Sequence, residues 1–195
     1  MSIESDAERR TGERVDALNT LLSSCDVLVT SAEMQVIYDR LGSEITLALS
    51  RKLPIVLAVM NGGMIVSGQL LGRLNFPLEV SYLHATRYRG TTSGGALKWL
   101  AQPDMQLTGR DVLIVDDILD EGYTLKAVRD WCLAAGAGRV WIAVATDKLH
   151  DRKVPDVKAD FVGLPVPDRY IFGEGLDYHG FFRNASGIYA LPESH

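Results

Sequence analysis

Two adjacent carboxylates, Asp116 and Asp117, are followed at short spacing by Asp120, Gly122 and Thr124. The residues before them, Val112 to Val115, are apolar and read as a buried strand; those after, with Leu125, Val128, Trp131 and Cys132 on one stripe, read as a helix. Successive backbone N–H groups in a turn that opens a helix form an anion nest, and the helix dipole adds to it. Gly122 permits close approach of a ligand, and the Thr124 hydroxyl can donate to a phosphate oxygen. Asp116 and Asp117 can accept from vicinal hydroxyls, which a phosphate alone does not need. Together these groups suit a ribose phosphate. An acidic strand end before a capped helix would explain the Asp pair alone, but not the whole array.

Such an array sits where open α/β sheets bind ligands, outside the carboxyl end of a parallel strand. The other elements fit that frame. Residues 1–14 are charged and expected to fray, with a short helix at 15–22. An apolar segment at 25–29 leads into Thr30-Ser-Ala-Glu33, a capping box, and then Ile37, Leu41, Ile45 and Leu49 mark a helix. Residues 54–60 form a buried strand that ends in Asn61-Gly62-Gly63 before another helix. A β-rich stretch at 78–88 precedes the polar tract 90–95 and a second short strand near 96–100. Gly136 and Gly138 close the helix after the acidic array. Strands follow at 139–146, with Asp147-Lys148 at its tip, and at 160–165 and 169–172.

The chain has 195 residues, 47% hydrophobic and 23% charged, an ordinary globular composition that is most simply one domain. Its net charge of −5 argues against a nucleic-acid partner. Cys25 and Cys132 make neither a disulfide framework nor a metal site and are expected to be buried thiols. No apolar run reaches membrane-spanning length, and the polar start is not a signal peptide, so a soluble, cytoplasmic protein without a membrane partner is the expectation. The four histidines show no ligand spacing or catalytic partner.

The string V-L-I-V-D-D-I-L-D-E-G-Y-T, residues 112–124, resembles the phosphoribosyl diphosphate (PRPP) signature of the type I phosphoribosyltransferases. An acid at Asp120 narrows the resemblance to the hypoxanthine-guanine branch. It implies an α/β fold: a Rossmann-like parallel sheet flanked by helices, with a small hood built from the N-terminal segment and residues 165–195. It also implies transfer of ribose 5-phosphate from PRPP to N9 of hypoxanthine or guanine, giving IMP or GMP and pyrophosphate. On the matching positions Asp116, Asp117, Asp120, Glu121, Gly122, Tyr123 and Thr124 would hold the ribose phosphate. Asn61, Gly62 and Gly63, on a cis Met60–Asn61 peptide, would face pyrophosphate together with Arg183. Lys148 would read the purine O6, Tyr170 would stack on the base, the Ile171 carbonyl would meet it, and Asp177 would be a metal-linked acid. Arg87 and Tyr88 would fall in the family's mobile lid.

Asp120 is then the expected general base, with a helix N-cap as its competing role. Mg²⁺ is the expected cofactor, held by Asp116, Asp117 and Asp177, because it binds phosphate oxygens with few protein carboxylates. A homodimer or homotetramer is usual in such relatives. The sequence departs from the family at Glu121, where threonine is usual, at Asp116 for a frequent Glu, at Tyr123, and at Asn61 for a basic residue. A xanthine-preferring enzyme and a PRPP-sensing regulator are the alternatives. The acid at Asp120 and the negative charge weigh against the regulator.

Overall fold

Apolar strands alternate with helices along the chain and collect into two sheets. The computed structural model describes residues 3–87 and 97–192. Helix α1 (Ile3–Ser24) is far longer than the helix expected at 15–22 and covers most of the segment expected to fray. Ala, Glu and Arg are strong helix formers, no proline interrupts them, and Arg9 pairs with Glu13 one turn on at 2.9 Å. Strand β1 (Asp26–Thr30) then runs into α2 (Ser31–Leu49) through the capping box. There the Thr30 N–H donates to Glu33 Oε2 at 2.8 Å and the Glu33 N–H to Thr30 Oγ1 at 3.3 Å. Met34, Tyr38, Leu41, Ile45 and Leu49 are its buried stripe, and Ile37 lies at the stripe's edge.

Strand β2 (Ile55–Met60) precedes α3 (Gly63–Leu71). Strand β3 (Glu79–Arg87) pairs antiparallel with β4 (Leu97–Ala101). Strand β5 (Asp111–Leu119), helix α4 (Tyr123–Ala134), β6 (Arg139–Lys148) and β7 (Phe161–Val166) follow. The larger sheet has six strands in the order β4-β3-β2-β5-β6-β7. All of its neighbours except β3 and β4 are parallel. It is the Rossmann-like α/β sheet that the resemblance implied. Gly136, in the left-handed region at φ 86, stands just beyond the end of α4.

The sheet is covered on both faces, so β5 reads as an unbroken apolar run rather than an alternation. Leu113 and Val115 pack with α2 and α3, whereas Val112 and Ile114 pack with Leu125, Val128 and Cys132 of α4. Cys132 is buried as expected; Cys25 is only partly so.

A second, three-stranded sheet in the order β1-β9-β8 joins the start of the chain to its end through β8 (Ile171–Phe172) and β9 (Gly187–Ala190). Buried Glu174 locks it to α2, accepting from the Tyr38 hydroxyl at 3.0 Å and the Gly187 N–H at 2.9 Å. Tyr178 and Phe182 join Phe172 and Tyr189 in an aromatic cluster, while Phe181 is more exposed and meets Arg14 of α1 at 4.7 Å. No helix among the described residues is long and apolar enough to cross a membrane.

The approach of α3 to the central strand depends on a residue without a side chain. A Cβ at Gly63 would lie 2.4 Å from the Val115 carbonyl oxygen, backbone against backbone, whereas one at Gly68 of the same helix would meet nothing within 4 Å. Gly63→Ala should therefore lower stability by about 1–3 kcal/mol. Gly68→Ala should be neutral or stabilising. Chemical denaturation checks the pair, and equal stabilities for the two variants would contradict this packing.

Candidate active site

Strand β5 does not stop before its acidic residues: its ladder with β6 continues past Asp116, opposite Val144, to Leu119, opposite Asp147. Asp116 and Asp117 therefore belong to the strand and are buried, at 9% and 8% exposure. The Asp117 N–H donates to Asp116 Oδ1 at 2.9 Å, and the Thr146 hydroxyl donates to the Asp117 carbonyl at 3.0 Å. Burial pushes the Asp116 carboxyl well above the usual carboxylate range, and the charge of Asp117 adds to the rise. Burial also raises Asp117, against the hydrogen bond with Asp116 and the charge of Arg183. Arg183 Nη1 stands 3.8 Å from Asp117 Oδ2.

Beyond the strand, Gly122 turns the chain into α4 at φ 85, the left-handed region. A Cβ there would also lie 2.5 Å from Val157, so the turn excludes any other residue. Gly122 is the N-cap of α4, which removes the capping role from Asp120. The turn opens onto a cleft of about 310 Å³ lined by Asp116, Asp117, Asp120, Gly122 and Thr124, with Glu121 and Tyr123 at the same turn. Asn61, Gly62 and Arg183 also line it. The Met60–Asn61 peptide is cis, as the resemblance implied. A Cβ at Gly62 would lie 2.1 Å from Asp117 Oδ2, so this glycine is needed for packing inside the protein before any ligand is considered.

A second cavity of about 230 Å³ shares Asp117, Ile118 and Asp120 with the first. Its remaining walls are Lys148, Tyr170, Ile171, Leu176 and Asp177. Lys148, at the end of β6, places Nζ 3.2 Å from Asp120 Oδ2. Tyr170 is half exposed, and its hydroxyl donates to the Asp177 carbonyl at 3.2 Å. Arg183 lines the first cavity and reaches Asp177 of the second, with Nη2 2.5 Å from Asp177 Oδ1 and Nη1 donating to the Gly175 carbonyl at 2.6 Å. The chain fold thus brings residues 61–62, 116–124, 148, 170–177 and 183 to one place. Of the two residues expected in a lid, Arg87 ends β3, and Tyr88 lies outside the described residues.

Sequence reasoning missed His150. Its imidazole, 3% exposed, puts Nε2 2.6 Å from Asp120 Oδ1. Burial works to raise the Asp120 carboxyl, but the hydrogen bonds from His150 and Lys148 and the charge of Lys148 outweigh it, and Asp120 is held below the usual range. A histidine in an irregular segment gives no periodic signal, so only the folded contact reveals it.

The buried Asp116–Asp117 pair offers hard oxygen donors whose charge a divalent cation would offset, which suits Mg²⁺. Among the described residues, no three His, Cys, Asp or Glu side chains gather as a metal cage. Asp177 already receives Arg183 on Oδ1 and the Gly180 N–H on Oδ2 at 2.7 Å. A metal here would need most of its ligands from substrate oxygens and water.

Acids at the carboxyl end of a central parallel strand, followed by a glycine turn into a helix, mark the ligand-binding crevice of an open α/β sheet. The phosphoribosyl transferase domain model matches residues 27–179, and the chain belongs to that family. It is 34% identical over 166 residues, 85% of this chain and 92% of the other, to the hypoxanthine-guanine phosphoribosyltransferase of Bacillus subtilis. A crystal structure of a hypoxanthine phosphoribosyltransferase from Staphylococcus aureus superposes with a TM-score of 0.83 at 27% identity, covering 90% of this chain and 98% of that one. A hypoxanthine-guanine-xanthine phosphoribosyltransferase structure gives 0.78 at 28%, covering 86% and 97%.

The raised Asp116 carboxyl yields a signed prediction. Below about pH 3.9, its ordinary value, the acid is protonated folded or unfolded and burial has no charge cost. As pH rises toward the raised folded value the cost grows, and above that value it is fully present. Asp116→Asn, whose amide oxygen can keep the Asp117 hydrogen bond, should therefore stabilise the protein at neutral pH by about 1 kcal/mol or more, and by less in acid. Thermal melts without Mg²⁺ or substrate check this; an equal change at pH 4.5 and pH 8 would contradict it.

Proposed function

We propose that the protein transfers ribose 5-phosphate from PRPP to N9 of hypoxanthine or guanine, releasing pyrophosphate and IMP or GMP. One observation carries the reading: Asp120 stands on the wall common to a cleft that suits a ribose phosphate and a cavity bearing a lysine and an aromatic ring. The 5′-phosphate would lie on the backbone N–H groups of residues 121–124 with the Thr124 hydroxyl. Asp116 and Asp117 would accept the ribose hydroxyls. Arg183 and the turn at Asn61, Gly62 and Gly63 would face the pyrophosphate. Glu121 and Tyr123 would line the phosphate end, where Glu121 opposes the incoming charge.

In the second cavity the Tyr170 ring would lie against the base and the Ile171 carbonyl would meet its edge. Lys148 has three donors and no acceptor, so Nζ would turn from Asp120 Oδ2 toward O6 of a 6-oxopurine, leaving Oδ2 to face the base. The bond from C1 to pyrophosphate breaks with its electron pair leaving on oxygen, as the N9 lone pair forms the new bond to C1. Positive charge on the ring during this exchange makes positioning and electrostatic stabilisation the main sources of rate. Asp120, held as a carboxylate, accepts the proton that the base loses from N7 and passes it to solvent. Asp116, Asp117 and Asp177, with substrate oxygens and water, would hold Mg²⁺, which would supply positive charge near the departing pyrophosphate. The family resemblance supports extending the proposal to a cytoplasmic homodimer or homotetramer and a single domain over 1–195.

A nucleobase panel with PRPP and Mg²⁺ tests the assignment: hypoxanthine and guanine should turn over and adenine should not. Adenine presents a donor where Lys148 also donates, a mismatch that can discriminate by ~10⁴ or more. Lys148→Met should raise KM for the 6-oxopurines strongly while PRPP binding survives. Asp120→Asn should lower kcat by ~10²–10⁴ with little change in PRPP binding. Good adenine turnover, or unchanged hypoxanthine kinetics in Lys148→Met, would defeat the purine assignment. Unchanged turnover in Asp120→Asn would remove that residue from the proton step.

A further inference from the structure

The buried His150 imidazole touches Asp120 but lines neither cavity. Its two nitrogens are both engaged. The backbone N–H of Arg152 donates to Nδ1 at 3.1 Å, so Nδ1 carries no proton. Nε2 is therefore the protonated nitrogen, and it donates to Asp120 Oδ1 at 2.6 Å. The segment that carries His150 is fastened on several sides. The Leu149 N–H donates to the Val166 carbonyl at 2.9 Å, and the Val154 N–H donates to the Glu121 carbonyl at 2.8 Å, beside Asp120 itself. Arg152 makes two hydrogen bonds to Asp168 at 2.8 Å, and Lys153 pairs with Asp147.

From this geometry we infer that His150 is a positioning residue: it fixes one oxygen of Asp120 so that the other is presented to the base. The inference rests on the reading of Asp120 as proton acceptor. Lys148 holds Oδ2 in this structure at 3.2 Å, but a bound 6-oxopurine would draw its donors toward O6. His150 is then the remaining side-chain donor to Asp120 among the described residues. Without it the carboxylate would be free to turn about its terminal torsion, which has only weak preferences. A buried histidine that merely fills space would have no such effect on the chemical step.

The test compares His150→Gln, whose amide reaches about as far as Nε2, with His150→Asn, which is one methylene shorter. His150→Asn should lower kcat ~10-fold or more, the scale of losing a hydrogen bond to a charged group, with KM for PRPP within about two-fold of wild type. His150→Gln should restore most of the rate. In an Asp120→Asn background His150→Asn should have no further effect on kcat. Equal rates for His150→Asn and wild type, equal losses in the Gln and Asn variants, or independent losses in the double variant would overturn the inference. A measurement on the unaltered protein stands apart from any folding defect: imidazole ¹⁵N shifts should report the Nε2–H form, and an Nδ1–H form would overturn it. Unchanged turnover in Asp120→Asn alone would defeat the proton-acceptor reading instead, and the two failures are distinguishable.

Discussion

The structure is arranged around two carboxylates placed side by side within a buried strand. Asp116 and Asp117 are less than a tenth exposed, and burial works against the charge of each. Such a pair survives only where neighbouring polar groups and packing enforce it. Here the Asp117 N–H serves Asp116, and Arg183 approaches Asp117 from the tail. The backbone closes in as well. Gly62 packs on the Asp117 carboxylate, and a Cβ at Gly175, which has φ 104, would meet the Gly62 carbonyl oxygen at 2.3 Å. The loop after β2 and the hairpin before β9 are thus shaped by the same strand end.

Three residues further on, the environment reverses. Asp120 is drawn below the usual carboxylate range by His150 and Lys148, which outweigh its partial burial. One short stretch therefore holds acids pushed in opposite directions, a pattern that separates roles among chemically identical groups. In the proposed reaction the raised pair awaits ribose hydroxyls and a cation, while the lowered one stays ionised to take a proton. The fold supplies the difference by burying the strand and leaving the turn near two donors.

Much of this was legible before folding. The apolar run of β5, the glycine turn and the first turn of α4 are local features, and the capping box at Thr30 and Glu33 closes as its spacing demands. The parallel order followed from strands alternating with helices. What escaped depended on partners distant in sequence. The four residues of β9 gave too little pattern to stand alone; they are a strand because β1 and β8 pair with them on either side. Glu174 carries no local signal of burial, yet Tyr38, 136 residues away, makes it part of the core. His150 lies 30 positions from Asp120, in a segment with no periodicity. The end of β5 was misplaced because carboxylates usually end a buried strand, and only the ladder with β6 carries it onward. Helix α1 was shortened because its charged residues read as solvated chain, although the same charges have high helical propensity.

In the proposed reaction the cleft and the cavity on either side of Asp120 receive the two halves of one nucleotide. A crystal structure of the protein with IMP or GMP tests it most directly. The 5′-phosphate should lie within hydrogen-bonding distance of the N–H groups of residues 121–124 and the ribose hydroxyls beside Asp116 and Asp117. The base should sit in the second cavity, with O6 on Lys148 and N7 beside Asp120. An ordered nucleotide with its phosphate away from the Gly122 turn, or its base outside the cavity walled by Lys148 and Tyr170, would contradict the claim.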